Sequence, residues 1–185
     1  GKFNKKNDMK KSFLIMATLA MALVSCSEPA QPLAIDNALT EAEIAAARLT
    51  PEVMWKMRRI GSAEVSADGK VVLYTVTDYS MAENRGITRI YTLDLEAGVT
   101  TELTDTSSNN TAARWGGDGA IWFLSNRSGA MQVWRMAADG TELKQITNIE
   151  GGVEDFGVNN DCTALHYVKA VKVKAVNSAD VYEDM

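Results

Sequence analysis

"RWGGDGAIWFLSNRSG", residues 114–129, decides the fold. A Trp leads into an Asp-Gly turn, an unbroken apolar run follows, and a polar Ser-Asn-Arg-Ser-Gly cluster closes it. The same device stands at "EVSADGKVVLYTVTD" (64–78) and, in weaker form, at "GVNNDCTALHYVK" (157–169). The three Asp positions, Asp68, Asp118 and Asp161, are spaced by 50 and 43 residues. Further segments match between them: "RIYTLDL" (89–95) with "QVWRMAA" (132–138), and "TTELT" (100–104) with "LKQIT" (143–147). One unit therefore reads strand, Asp-Gly turn, strand, loop, strand, turn, strand ending in Thr. The first spacing is longer because "DYSMAENRG" (78–86) is inserted between the second and third strands of its unit.

A period of about 40–45 residues with four strands per unit is the signature of β-propeller blades. Tight hairpins need positive φ, which Gly allows and Asp tolerates beside it. The second strands, "KVVLYTV", "AIWFLSN" and "TALHYVK", are apolar at successive positions. That pattern suits an inner strand covered on both faces, as stacked blade sheets require. The expected fold is all-β: a partial β-propeller with blades at about 60–104, 110–147 and 152–185, preceded by short helices. Two full blades and part of a third leave open edges, whereas propellers close with roughly four to eight. The sequence is accordingly expected to continue beyond Met185.

Composition is that of a globular chain, 46% hydrophobic and 23% charged over 185 residues. The charge is lopsided. Residues 1–25 hold five Lys and one acid, and the remaining 14 basic and 23 acidic residues give 26–185 a balance of −9. So acidic a body argues against a nucleic-acid partner, whose affinity rests on neutralising phosphates. With two cysteines and a single His, no metal-ligand spacing exists, and no cofactor is expected.

At the N-terminus, Met9-Lys10-Lys11 and "SFLIMATLAMALVSC" have the layout of a secretory signal: a positive start, an apolar stretch, then small residues. The stretch from Phe13 to Val24 is too short for a bilayer-spanning helix, which needs roughly 20 residues. Leu23-Val24-Ser25-Cys26 resembles the lipobox of bacterial lipoproteins. That resemblance implies cleavage after residue 25, lipid attachment on Cys26, and a membrane as partner, with Ser27 at the next position favouring the outer membrane. Cys162 then has no disulfide partner and is expected to be a small buried or turn residue. Residues 26–39 lack period and carry two prolines, as a tether does. A lead-in over 40–59 follows. Thr40-x-x-Glu43 is a capping-box pattern opening a helix over about 41–48. Thr50-Pro51 starts a second, with Val53, Met54 and Met57 as its apolar side. Trp55 is expected to dock this helix on the β domain.

Candidate chemistry within the repeats is sparse. His166 occupies the slot of Leu73 and Phe123 and is expected to be a packed core residue. Ser128-Gly129 lies in a hairpin loop rather than at a strand-to-helix elbow. Glu154 and Asp155 are adjacent acids in "GGVEDF", expected to sit in a solvated loop.

Taken together, "SADGKVVLYTVTD", "RIYTLDL" and "RWGGDGAIWFLSNRSGAMQVWRMAADGTELKQIT" resemble the repeats shared by TolB-type propellers and the prolyl oligopeptidase family of serine peptidases. "LTPEVMWKMRRIGSAEVSADGK", "YTVTDYSMAENRGITRIYTL" and "VKAVKVKAVNSADVYEDM" resemble the lead-in, first-blade insertion and third-blade exit of bacterial dipeptidyl- and acylaminoacyl-type members of that family. The resemblance covers about 49–185. It implies a propeller that restricts entry to a separate hydrolase domain, whose Ser-Asp-His triad cuts short peptides. No triad residue carries over to this sequence: it contains no G-x-S-x-G, and His166 lies in a blade. The alternative is a non-catalytic, TolB-like periplasmic propeller that binds protein partners.

Overall fold

The computed structural model describes residues 32–171. Cys26, the signal-like segment and the stretch from residue 172 onward lie outside the described residues. Two short helices, α1 (Glu41–Ala46) and α2 (Pro51–Lys56), lead into ten strands. The first sheet runs β1 (Arg59–Val65), β2 (Val71–Ser80), β3 (Arg85–Asp94), β4 (Thr100–Glu102). The second runs β5 (Asn110–Trp115), β6 (Ile121–Ser125), β7 (Gln132–Met136), β8 (Lys144–Gln145), and β9 (Asp155–Val158) pairs with β10 (Leu165–Val168). Each four-stranded sheet is an antiparallel meander with its strands in chain order. This is the unit the repeats predict for each blade.

The repeated residues have identifiable tasks. In the turn after β1, the Gly69 N–H donates to the Ser66 carbonyl and the Lys70 N–H donates to Asp68 Oδ1 at 3.1 Å. The turn after β5 repeats this, with Gly119 donating to Gly116 and Ala120 donating to Asp118 Oδ1 at 3.1 Å. Gly69 and Gly119 sit at φ +73° and +74°. The Asp is thus an acceptor for the residue two places on, and only the Gly needs the left-handed region. In the third turn Cys162 takes the Gly position, at φ +57°. The Thr that ends each fourth strand also has a function: Thr104 Oγ1 accepts the Ile90 N–H and Thr147 Oγ1 accepts the Val133 N–H, both at 2.9 Å. Each hydroxyl prolongs the ladder onto strand three where the short fourth strand stops.

β6 explains the apolar run of the opening stretch. Ile121 and Phe123 join Leu73, Ile90, Ala113 and Met136 in a core between the two four-stranded sheets. Trp122 and Leu124 join Val133, Val153 and Phe156 in a second core, under the β9–β10 hairpin. All five β6 residues are buried, and Phe123 is 0% exposed. Consecutive residues of one strand therefore serve two cores. Fully burying an Ile- or Phe-sized side chain contributes about 1.5–3 kcal/mol, so β6 anchors both interfaces.

The inserted "DYSMAENRG" takes the form of a longer hairpin: β2 and β3 pair at ten positions, from Val71↔Asp94 to Ser80↔Arg85, against five for β6 and β7. Several expectations are corrected. His166 is exposed rather than core. It pairs with Gly157, and its ring lies over the space a side chain there would fill. The equivalence to Leu73 and Phe123 presupposed cover on both faces, whereas His166, Tyr167 and Val168 of β10 are all exposed. Helix α1 ends at Ala46 because Ala47 turns left-handed, at φ 47°. Of the apolar side expected for α2 only Val53 is buried, while Met54 and Met57 face solvent. Residues 32–39 have no regular structure but are partly packed, since Leu33 is buried and donates its N–H to the Thr106 carbonyl at 3.1 Å.

Candidate functional site

The lead-in is fastened to the first sheet by one carboxylate. Asp78 lies on β2 on the same face as Val76 and, across the ladder, Arg89 and Ile87. It is 0% exposed. Arg89 of β3 pairs with its Oδ2, Arg58 Nε donates to its Oδ1 at 2.9 Å, and Asn37 Nδ2 donates to the same oxygen at 2.6 Å. Burial works to raise the Asp78 pKa, but the hydrogen bonds and charges of Arg89 and Arg58 outweigh it and hold the carboxyl below its usual range. Glu102 of β4 extends the network by accepting from Arg89 Nη1 and from Tyr91 Oη, both at 2.8 Å. Arg58 Nη2 donates to the Tyr91 hydroxyl, also at 2.8 Å.

A polar cleft of about 540 Å³ opens over this network, lined by Asn37, Arg58, Arg89, Tyr91, Glu102 and Leu33 among others. Arg58, Arg89 and Glu102 line it, and the buried Asp78 carboxylate beneath balances the second guanidinium. Its chemistry is that of a clasp: it can hold the lead-in and accept polar groups, and its Tyr91 hydroxyl is already engaged by Arg58 and Glu102. Neither Asp78 nor its arginines were evident as a site in the sequence. The available signal was an acid in line with Val72, Tyr74 and Val76 on one face of β2.

Two further clefts flank the far end of the long hairpin. The rings of Trp55 and Tyr79 meet edge to face, with centroids 5.0 Å apart, and Arg59 stacks over both. Tyr79 packs against Gly86, where a side chain would crowd its ring. On one side of this contact lies a cleft of about 480 Å³ lined by Ile35, Asp36, Glu52, Lys56 and Met81. On the other lies one of about 260 Å³, lined by Trp55, Tyr79, Ser80, Met81, Asn84, Arg85 and Gly86. Trp55 docks α2 on the sheet, as expected, while staying partly exposed.

The remaining sequence candidates do not converge. Asp155 is tied to the second sheet: Arg114 Nη2 lies 3.3 Å from its carboxylate, Arg114 Nη1 donates to the Phe156 carbonyl at 2.6 Å, and the guanidinium stacks on the Phe156 ring. Glu154 is exposed, and Ser128 and Gly129 lie in the β6–β7 connection, where Gly129 N–H donates to the Asn126 carbonyl. Among the described residues no hydrogen bond joins His166 to a hydroxyl or carboxylate, so no nucleophile–base pair forms. No three His, Cys, Asp or Glu side chains among them are placed to hold a metal. Cys162, a free thiol, lies against Asp118. Burial acts to raise the Asp118 pKa, but the Arg135 guanidinium at 2.7 Å, the Ala120 N–H, Cys162 and Trp122 lower it to about 2.

No family model matches the chain. It is 32% identical over 126 residues to dipeptidyl-peptidase 5 of Porphyromonas endodontalis, a match covering 68% of this chain and 18% of the relative. To dipeptidyl-peptidase 5 of Porphyromonas gingivalis it is 36% identical over 138 residues, covering 74% of this chain and 20% of the relative. The chain thus spans about a fifth of the length of these relatives. Among solved structures, the acylaminoacyl peptidase of Pyrococcus horikoshii superposes with a TM-score of 0.53 at 18% identity, over 63% of this chain and 18% of that one. This last likeness is one of fold.

Proposed function

We propose that this chain is the propeller portion of a longer serine exopeptidase that cleaves short peptides, and that it gates access to a hydrolase domain outside the sequence described. The observation that carries the reading is the 32–36% identity to two dipeptidyl-peptidases across most of the chain. The absence of a nucleophile–base pair among the described residues is compatible with it, because the reading assigns these sheets access rather than chemistry. Cys26 is proposed as the lipid-attachment residue that holds the mature protein at the cell envelope, in the outer membrane.

The test is made on the complete gene product. A fluorophosphonate probe should label one Ser within a G-x-S-x-G sequence, because an activated Oγ needs a base and an oxyanion hole beside it. Chromogenic dipeptidyl or N-acylaminoacyl amides should be hydrolysed. A product with neither property refutes the peptidase reading and leaves a non-catalytic propeller that binds protein partners. Metabolic labelling with an alkyne fatty acid should mark the wild type and not Cys26→Ala.

A further inference from the structure

We propose that the 260 Å³ cleft at the end of the β2–β3 hairpin binds an α-carboxylate carried next to a large apolar side chain, such as the C-terminal residue of a short peptide. Three features of the cleft select that chemistry. Its floor is apolar and aromatic, built from Trp55, Tyr79 and Met81, and Met81 is 58% exposed. No acid lines it, whereas the neighbouring cleft carries Asp36 and Glu52. Arg85 lines it and is exposed, and among the described residues Arg85 makes no ion pair.

Four other cations of the lead-in and first sheet are engaged. Arg58 and Arg89 are paired with Asp78, Lys56 with Glu43 at 2.8 Å, and Arg59 is stacked across Trp55 and Tyr79 with Nη1 3.2 Å from the Tyr79 hydroxyl. Arg85 is therefore a guanidinium available for a carboxylate, beside an unfilled apolar surface, in a body whose balance is −9. Guanidinium matches carboxylate in a two-pronged geometry that an amide cannot reproduce. The Trp55 face supplies the apolar contact, and its position is fixed by Tyr79 and Arg59. The hairpin's five extra rungs are what carry Arg85 and Met81 out to this place, which gives the longer first unit a purpose.

The inference does not rest on the peptidase reading, because it is tested by binding without turnover. The full chain is titrated calorimetrically with N-acetyl-phenylalanine and, separately, with N-acetyl-phenylalanine amide. The acid should bind roughly tenfold or more tightly than the amide. Arg85→Gln, an exposed change that leaves the hairpin ladder intact, should bring the acid to the amide's affinity. Met81→Ser should weaken both. Equal affinity for acid and amide, an Arg85→Gln protein that still prefers the acid, or no measurable binding of the acid to the wild type would each overturn the proposal.

Discussion

Gly117 offers the sharpest test of how the repeats are stacked. It lies in the Asp-Gly turn after β5, against the turn between β9 and β10. A methyl group built on Gly117 would overlap the Asn160 carbonyl oxygen and stand 2.9 Å from the carbonyl carbon. Carbon–carbon contacts are most favourable at about 3.5–4.0 Å, and the obstacle is backbone, so no rotamer change relieves it. The hairpin must retreat by about an ångström. A gap of that size forfeits roughly a quarter to a half of each contact it opens. The contacts at risk include those of Trp122 and Leu124 with Val153 and Phe156. Overpacking of this kind costs about 1–3 kcal/mol, and Gly117→Ala belongs at the upper end. Gly119→Ala, two residues on, is the control. Nothing lies within 4 Å of its added methyl, so it pays only for φ +74°, about 1–2 kcal/mol. Urea melts of the full chain should rank Gly117→Ala as the more destabilised. The Cys162 thiol, which sits in the displaced turn, should react faster with a disulfide reagent in Gly117→Ala alone. Equal stabilities with unchanged thiol reactivity would refute the close stacking of the two turns.

Asp78→Ala should cost about 3–5 kcal/mol, since it leaves Arg89 largely buried without its main counter-charge, and limited proteolysis should then cut within residues 32–58 first. Both Asp78 and Asp118 have lowered pKa values, so their contribution is complete above the unfolded carboxylate value near 3.8 and is lost as pH falls through the folded value, about 2 for Asp118. The melting temperature should accordingly stay level on their account from pH 7 to about 4 and fall between about 4 and 2, and Asp118→Asn should flatten part of that fall. Thr147→Val should destabilise by about 1–3 kcal/mol, because the Val133 N–H and Gln132 Oε1 both lose a partner, and more than Thr104→Val, where only the Ile90 N–H does. Cys162→Gly relieves a side chain at φ +57°, about 1–2 kcal/mol, but removes the thiol from Asp118 and from the core under β9–β10, so thermal melts should place it closer to wild type than that relief alone.

How far the sequence could be read depended on how local each cause was. The Asp-Gly turns are governed by neighbouring residues, and the two-sided burial of β6 is written in one unbroken apolar run, so both took the form their pattern implied. The Thr at the end of each fourth strand was visible as a repeat, but its reason was not, because its partner lies 14 residues earlier on another strand. The long hairpin was hidden because Asp78, Ser80 and Glu83 interrupt the apolar alternation that marks a strand. Asp78 itself was missed for the same cause: its partners come from positions 37, 58 and 89, which only the fold assembles. His166 was misplaced because alignment of one repeat on another transfers position within a unit, not the cover supplied by the next unit.

The two-sided burial of β6 removes a safeguard that most strands possess. In a strand with one wet face, slipping the pairing by a single residue turns every apolar side chain outward, so hydrophobicity alone polices register. For Ile121-Trp122-Phe123-Leu124 the same slip merely exchanges one pair of apolar residues for another. Alignment of this strand must be enforced from its ends. The Asp118-Gly119 turn fixes one, and buried Ser125, whose hydroxyl accepts from Arg127 Nε at 3.0 Å, pins the other. Substitutions at these small polar positions therefore threaten mispairing during folding more than they threaten the finished core, and their signature would be a misregistered, slowly correcting population rather than a lower melting point.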